Sequence, residues 1–110
     1  MPQDTTTVPK TTTTTDVEYV VVSEEELEKP FRVIIQNDDV TPMDFVIVVL
    51  MQIFGLTADR AVEVMFEAHE KNRALVTTLP LKEAQDRVYI AQSVARNAGY
   101  PLSFYLEPDE

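Results

Sequence analysis

The chain has 110 residues, 45% of them hydrophobic, and carries 19 acidic against nine basic side chains, a formal net charge of −10. This length suits a single domain with a buried core. The lack of cysteine and the single histidine exclude a disulfide framework, a thiol nucleophile and a cysteine- or histidine-rich metal site.

Residues 1–29 differ in composition from the rest of the chain. Eight threonines fall within residues 5–15, residues 17–22 favour a β-strand, and residues 23–28 are mostly acidic. Such a segment buries too little apolar surface to offset its ordering entropy. We predict a flexible Thr-rich and acidic N-terminal extension over residues 1–29, followed by one folded domain over residues 30–110. The extension is either a solvated tail or a segment that a partner grips.

The first predicted strand and helix of the folded domain are joined by a polar turn. Residues 31–35 are rich in β-branched side chains, which favours a strand, and residues 37–39 are turn formers. Thr41 reads as an N-cap, and the proline after it suits the first helical position, so a helix over residues 42–54 is predicted. Gly55 follows, a residue that ends helices in the left-handed conformation.

The remaining residues predict two more helices and two more strands. A helix is expected over residues 58–72 with Thr57 as its cap, then a strand over residues 74–79, a third helix over residues 81–98 and a last strand over residues 102–106. The order β-α-α-β-α-β predicts a small α+β sandwich, in which three helices cover one face of a three-stranded antiparallel sheet. Apolar positions at helical spacing form the predicted core stripes: Val46, Val49, Leu50, Ile53, Ala61, Val64, Met65, Ala68, Leu81, Ala84, Val88, Ala91 and Ala95.

Charge and hydropathy also limit the partners. Residues 30–110 hold twelve acidic and seven basic side chains, so the basic footprint that nucleic acid or an anionic membrane requires is missing. The longest wholly apolar run, residues 45–51, is far shorter than the roughly 20 residues that span a bilayer. With no apolar signal region near residue 1, a cytoplasmic protein is expected.

Few residues support catalysis. His69 is the single imidazole base in the sequence, no serine or threonine lies in a recognised nucleophile motif, and no phosphate-binding glycine loop occurs. The adjacent acids Asp38 and Asp39 are more typical of a solvated turn than of a hydrolytic pair. A small hydrolase with His69 as its base is therefore a weak alternative.

One set of residues suggests a binding site. Asn37 and Asp38 lie in the predicted turn, while Met65 and His69 are four residues apart and share one face of a helix. If that helix packs beside the turn, these residues offer acceptors for an ammonium group next to a soft apolar pocket that includes Met43. The ordinary interpretation is a turn, a core methionine and a surface histidine, and spacing alone favours it.

Three stretches of the sequence resemble one protein family. They read FRVIIQNDDVTPMDFV over residues 31–46, AVEVMFEAH over residues 61–69 and YPLSFYLE over residues 100–107. The run Asn-Asp-Asp-x-Thr-Pro-Met is specific, and a Met-x-x-x-His pattern begins 22 residues after its methionine. The chain thus resembles the ClpS family, adaptors of the ATP-dependent Clp protease, over about residues 30–107.

The resemblance implies a binding module and not an enzyme. Such adaptors recognise proteins that begin with Leu, Phe, Tyr or Trp and deliver them to the N-terminal domain of a ClpA- or ClpC-like AAA+ unfoldase. No cofactor, metal, nucleic acid or membrane is expected to take part. Asn37, Asp38 and His69 are implied to bind the substrate α-amino group, and Met43 to act as a gate against β-branched first residues. The implied pocket and rim residues are Asp39, Thr41, Met43, Val46, Met65, Ala68 and Leu102.

Some positions depart from the family's pattern. Ala68 stands where the family often has a larger aliphatic side chain, which implies a roomier pocket, and Asn72 replaces a glycine. On the surface implied to dock the unfoldase, Lys82 replaces a glutamate and inverts the charge, whereas Arg87 replaces a lysine and keeps it. The alternative function is a ClpS-like interaction domain that docks on an unfoldase or another partner without recognising an N-terminal amine.

Overall fold

The computed structural model describes the backbone of residues 5–10 and 18–110, and the side chains from Ser23 onward. Its elements in chain order are β1 (Thr5–Lys10), β2 (Glu18–Ser23), α1 (Glu24–Glu28), β3 (Pro30–Gln36), α2 (Met43–Gln52), α3 (Ala58–Lys71), β4 (Arg73–Pro80), α4 (Leu81–Asn97) and β5 (Ser103–Pro108). From β3 onward the order is the predicted β-α-α-β-α-β, so the α+β class is confirmed.

The main sheet has three antiparallel strands with β3 at its centre, in the order β4-β3-β5. Side chains alternate between the two faces of a strand. Val33 and Ile35 therefore belong to the core beneath the helices, whereas Ile34 lies on the other face, paired with Leu75 and Tyr105 of the neighbouring strands. The central position of β3 places its C-terminal end between the helices, where the following turn begins.

The three long helices cover one face of this sheet, as predicted. Their buried residues join Val33, Ile35 and Phe104 of the sheet in one hydrophobic cluster. The predicted core stripes are confirmed except at Ile53, which is half-buried. The stripe of α4 is mostly alanine, and small side chains let a helix lie close to the strands it covers.

The start of α2 differs from the prediction. Thr41 is not the N-cap, because the helix begins at Met43 and its N-cap is Pro42, which makes no side-chain cap hydrogen bond. The hydroxyl of Thr41 instead donates to Asp38 Oδ2 at 2.9 Å, and its backbone N–H donates to Asp38 Oδ1. The N–H and the hydroxyl of Thr41 are therefore both bonded within the preceding turn. The N-cap position falls on the next residue, Pro42.

Three other predicted helix ends are confirmed. Gly55 has φ of +72° after α2, and its N–H donates to the carbonyl of Met51 at 3.1 Å. Thr57 caps α3 by accepting from the Arg60 N–H at 3.2 Å. Beyond α4, Gly99 has φ of +84°, the left-handed conformation that glycine adopts without steric cost.

The described part of residues 1–29 forms two strands and one short helix. Strands β1 and β2 pair in antiparallel register, and α1 lies in the acidic run, with Ser23 accepting from the Glu26 N–H. A serine cap followed by acidic side chains in the first turn stabilises a helix start. The helices thus number four over the described residues, not the predicted three. Residues 1–4 and 11–17 lie outside the described residues, and the division at residue 29 stays a prediction.

The short helix α1 is tied to the folded domain. Leu27 is buried, α1 lies against α4, and the N–H of Leu81 donates to the carbonyl of Lys29 at 2.9 Å. Over the residues that the structure describes, no helix is both long and apolar enough to cross a membrane.

Candidate functional site

A cavity of about 140 Å³ lies beyond the end of β3, between α2 and α3. Its lining contains all ten residues that the sequence analysis assigned to the amine site, the pocket and the rim, together with Ile35 and Gln36. The full lining is Ile35, Gln36, Asn37, Asp38, Asp39, Thr41, Met43, Val46, Met65, Ala68, His69 and Leu102. The structure therefore brings together residues that are up to 67 positions apart in the sequence.

Ile35 and Gln36 were missed by the sequence analysis. They are the last two residues of β3, immediately before Asn37. Ile35 lies in a predicted strand, and its side chain points into the core, where it is buried. The available signal was their position directly before the polar turn, because a site at the end of a strand also includes the strand's last side chains.

Asp38 organises the turn between β3 and α2. Its Oδ1 accepts from the backbone N–H groups of Val40 at 2.9 Å and Thr41 at 2.6 Å, and its Oδ2 accepts from the Thr41 hydroxyl at 2.9 Å. An ionised carboxylate has about four acceptor sites, and three are used within the turn. The remaining capacity is on Oδ2, so the carboxylate is held in place while one oxygen keeps room for a further donor.

Asn37 is held at the C-terminal end of α3. Its backbone N–H donates to the carbonyl of Asn72 at 2.9 Å. Asn72 has φ of +71° as the residue that ends α3, a conformation that asparagine tolerates better than most residues. The Asn37 side chain is half-buried and forms no hydrogen bond with any described residue. Its amide is therefore available to a ligand in the cavity.

His69 lies in the last turn of α3, one turn after Met65. The ring is exposed, lines the cavity and has no hydrogen-bond partner among the described residues. The carbonyl groups at a helix C-terminus carry partial negative charge, which favours a cation nearby by about 0.3–1 kcal/mol. Together with the carboxylate of Asp38, this end of α3 makes the mouth of the cavity attractive to a positively charged group.

The inner wall of the cavity is apolar. Val46, Met65, Ala68 and Leu102 are all buried, whereas Met43 is 48% exposed at the edge. Methionine is flexible and polarizable, so it adapts to large apolar or aromatic groups. Ala68 extends no further than its Cβ, which leaves space in the wall that a larger side chain would fill.

Lys82 and Arg87 lie on α4 and outside this cavity. Lys82 pairs with Asp86 at 3.0 Å, and Arg87 pairs with Glu83 at 3.3 Å. Arg87 also donates to the carbonyl of Ile53 at 3.0 Å, just after α2 ends. Both cations are exposed, and they lie on a separate surface from the cavity.

The chemistry of the site is that of binding. It combines a carboxylate, an amide and an imidazole at the mouth of an apolar cavity. In the described part of the chain, no group of three or more carboxylate or histidine side chains is arranged to hold a metal ion. A ligand with a cationic donor group joined to a large apolar group matches both halves of the cavity.

Comparison with known proteins gives a consistent result. The family model described as the ATP-dependent Clp protease adaptor protein ClpS matches residues 26–105. The ATP-dependent Clp protease adapter protein ClpS of Oleidesulfovibrio alaskensis is 38% identical over 89 residues, which cover 79% of this chain and 86% of that protein. The ClpS 1 protein of Bradyrhizobium diazoefficiens is 37% identical over 107 residues, covering 97% of this chain and 98% of the relative.

A solved structure is similar as well. The structure of Agrobacterium tumefaciens ClpS2 bound to L-phenylalaninamide matches with a TM-score of 0.71 and 35% sequence identity. The match covers 74% of this chain and 99% of that one.

Proposed function

Because the chain belongs to the ClpS family of adaptor proteins for the ATP-dependent Clp protease, we propose that its cavity binds the first residue of proteins that begin with Leu, Phe, Tyr or Trp. The chain then delivers these proteins to a Clp AAA+ unfoldase for degradation. Its role is binding and not catalysis. The observation that carries the proposal is the convergence of Asn37, Asp38 and His69 at the mouth of an apolar cavity.

Amine recognition follows from the polar half of the cavity. The α-ammonium group of a protein has three donors and a positive charge. Asp38 Oδ2, the Asn37 amide oxygen and a ring nitrogen of His69 supply three acceptors. A buried donor or acceptor that is left without a partner costs about 1–3 kcal/mol of binding free energy. An internal residue has no such ammonium group and an acetylated N-terminus has lost it, so both leave these acceptors unmatched and are rejected.

Selection of the first side chain follows from the apolar half. An apolar cavity of about 150 Å³ in another protein accommodates benzene, so a volume of about 140 Å³ suits one aromatic ring or a leucine side chain. Burying a side chain of this size contributes about 1.5–3 kcal/mol. β-branched side chains are stiff at χ1, and we assign Met43 at the edge as the gate that excludes them.

The ligand of the similar solved structure has the same two chemical parts. L-phenylalaninamide, which is bound in the Agrobacterium ClpS2 structure, carries a free α-amino group and a benzyl side chain. These parts match the polar mouth and the apolar wall of the cavity in this chain. The similarity supports the assignment of Asn37, Asp38 and His69 to the amine. It also supports the assignment of five residues to the side-chain pocket: Met43, Val46, Met65, Ala68 and Leu102.

We expect the chain to bind a peptide that begins with Phe at least about tenfold more tightly than its acetylated or Val-initiated version, since each loses about 1.5 kcal/mol or more of matched contacts. Fluorescence anisotropy with peptides that differ only at residue one measures the three affinities. Equal affinity for all three would refute amine and side-chain recognition. Capture of an unfoldase N-terminal domain in that case would favour the alternative, an interaction domain that docks without reading an amine.

We further propose that the docking surface for a ClpA- or ClpC-like unfoldase includes Lys82 and Arg87 on α4. The surface is separate from the cavity, so an adaptor can hold a substrate and an unfoldase at once. Arg87 is kept in position by its bonds to Ile53 and Glu83. Its charge stays exposed to a partner, as a charge at an interface rim must be.

Replacing Arg87 with Glu is expected to weaken binding of the unfoldase N-terminal domain by about two- to fivefold, because exposed ion pairs contribute about 1 kcal/mol or less. The affinity for the Phe-initiated peptide is expected to stay unchanged. Arg60→Glu is the matched control, since it makes the same charge change on an exposed part of α3. Equal loss of unfoldase binding in both variants would show that net charge, and not this surface, is responsible.

A further inference from the structure

Leu102 is the one residue of the cavity lining, within the described chain, that comes from neither β3, the turn after it, α2 nor α3. It lies at the end of the connection between α4 and β5, where neither helix nor strand hydrogen bonds hold the backbone. The side chain is only 1% exposed. The shape of this part of the wall therefore depends on what holds the connection in place.

Arg96 holds it. Its Nη1 donates to the carbonyl of Leu102 at 2.7 Å and to the carbonyl of Tyr100 at 2.9 Å. The side chain is half-buried in the last turn of α4. Four other arginines pair with carboxylates, namely Arg32, Arg60, Arg73 and Arg87. Arg96 pairs with no carboxylate of the described residues and directs its guanidinium to the connection instead.

The other contacts of the connection involve residues beside Leu102 and not the Leu102 carbonyl. The N–H of Tyr100 donates to the carbonyl of Ala95 at 2.9 Å, and its ring meets Phe45 with 4.9 Å between ring centroids. On the far side, Ser103 Oγ donates to Gln36 Oε1 at 3.2 Å. These contacts anchor the residues on either side of Leu102. The bond from Arg96 is thus the direct restraint on the backbone of the wall residue itself.

We propose that Arg96 is a positioning residue that sets the selectivity for the first substrate residue by holding Leu102 in the cavity wall. The inference rests on the proposed function. Without the guanidinium, the connection gains freedom and Leu102 can withdraw. A β-branched first side chain, which Met43 crowds at the edge, then gains room in the same cavity. Amine recognition is unaffected, because Asn37, Asp38 and His69 have no contact with Arg96 among the described hydrogen bonds.

The test measures selectivity and not affinity alone. Arg96→Gln in the full chain is expected to lower the ratio of affinities for Phe- and Val-initiated peptides by about three- to tenfold, the range that the net contribution of one hydrogen bond corresponds to. The ratio for free and acetylated Phe peptides is expected to stay at its original value. Arg96→Lys keeps a donor that can reach one carbonyl, so its Phe-to-Val ratio should lie between those of Arg96→Gln and the original chain.

A double-mutant cycle shows whether Arg96 acts through Leu102. In a Leu102→Ala background, Arg96→Gln is expected to have no further effect on the Phe-to-Val ratio, because the side chain that it positions is gone. Arg60→Gln is the matched control. It removes an arginine–carbonyl bond, to Leu75 at 3.4 Å, from a residue outside the cavity lining, and should leave the ratio unchanged.

Two outcomes would overturn the inference. One is an unchanged Phe-to-Val ratio in folded Arg96→Gln or, if that variant does not fold, in Arg96→Lys. The other is an equal effect of the Arg96 substitution with and without the Leu102 side chain. Failure of the proposed function looks different, since the original chain would then bind free and acetylated peptides alike.

Discussion

Replacing Asp38 with Asn is expected to weaken binding of a Phe-initiated peptide by about 10- to 100-fold, because a charge-assisted hydrogen bond contributes about 1.5–3 kcal/mol. An asparagine oxygen can still accept from the N–H groups of Val40 and Thr41, and its NH₂ group can donate to the Thr41 hydroxyl. The turn is therefore kept while the negative charge opposite the ammonium group is lost. Isothermal titration with the free peptide measures the effect, and thermal unfolding checks the fold.

Two further variants distinguish the effect of the Asp38 charge on peptide affinity from the effect of its hydrogen bonds within the turn. Asp38→Ala removes all three internal hydrogen bonds, so it is expected to lower the stability of the protein as well as the affinity. Asp59→Asn makes the same charge change at an exposed position in the first turn of α3, outside the cavity lining, and should leave peptide affinity within about twofold. A folded Asp38→Asn variant with unchanged affinity would exclude Asp38 as an acceptor for the amine.

Filling the cavity is expected to have a comparably large effect. Ala68 is 3% exposed and lies in the cavity wall, so Ala68→Leu places an isobutyl group where the substrate side chain would lie. We expect affinity for Phe- and Trp-initiated peptides to fall about 10- to 100-fold, the loss of about 1.5–3 kcal/mol from burial of the ring. Leu-initiated peptides should lose less, because their side chain is smaller.

Stability distinguishes a filled cavity from a damaged core. If the new side chain occupies space that is already empty, the midpoint of thermal unfolding should stay within a few degrees of the original value or rise. Ala58→Leu is the matched control, an exposed alanine at the start of the same helix. Phe binding at the original strength in a folded Ala68→Leu variant would show that the substrate side chain lies elsewhere.

The elements of the folded domain were predictable because their signals are local. Periodic apolar residues identified α3 and α4, and Thr57 and Gly55 marked helix ends by their own hydrogen bonds and backbone angles. The prediction that Thr41 caps α2 was wrong for a physical reason. Asp38, three residues earlier, accepts from both the N–H and the hydroxyl of Thr41 and so draws that side chain into the turn. A short-range pattern does not show whether a threonine bonds to the turn before it or caps the helix after it.

The residues near the N-terminus show another limit. Threonine content and acidity predict a flexible extension over residues 1–29, which stays a prediction, and β1, β2 and α1 form over its described part. Threonine and valine are β-branched and favour strands, so composition and local propensity point in different directions there. The position of α1 depends on Leu27, which is buried against the folded domain. This tertiary contact could not be predicted from a run of residues that is mostly acidic.

By itself, the sequence determined the fold class, the main helices and strands, and the absence of a cysteine-based or histidine-rich site. Its motifs also carried the family resemblance and, through it, the ten candidate site residues. Tertiary structure decided that these ten residues share one cavity. It also decided that Asp38 uses three acceptor sites within its own turn, and that Leu102 lies in the cavity wall with its carbonyl bonded to Arg96. The reason is physical: helix periodicity and capping depend on near neighbours in the chain, whereas a cavity forms from side chains that packing brings together across the sequence.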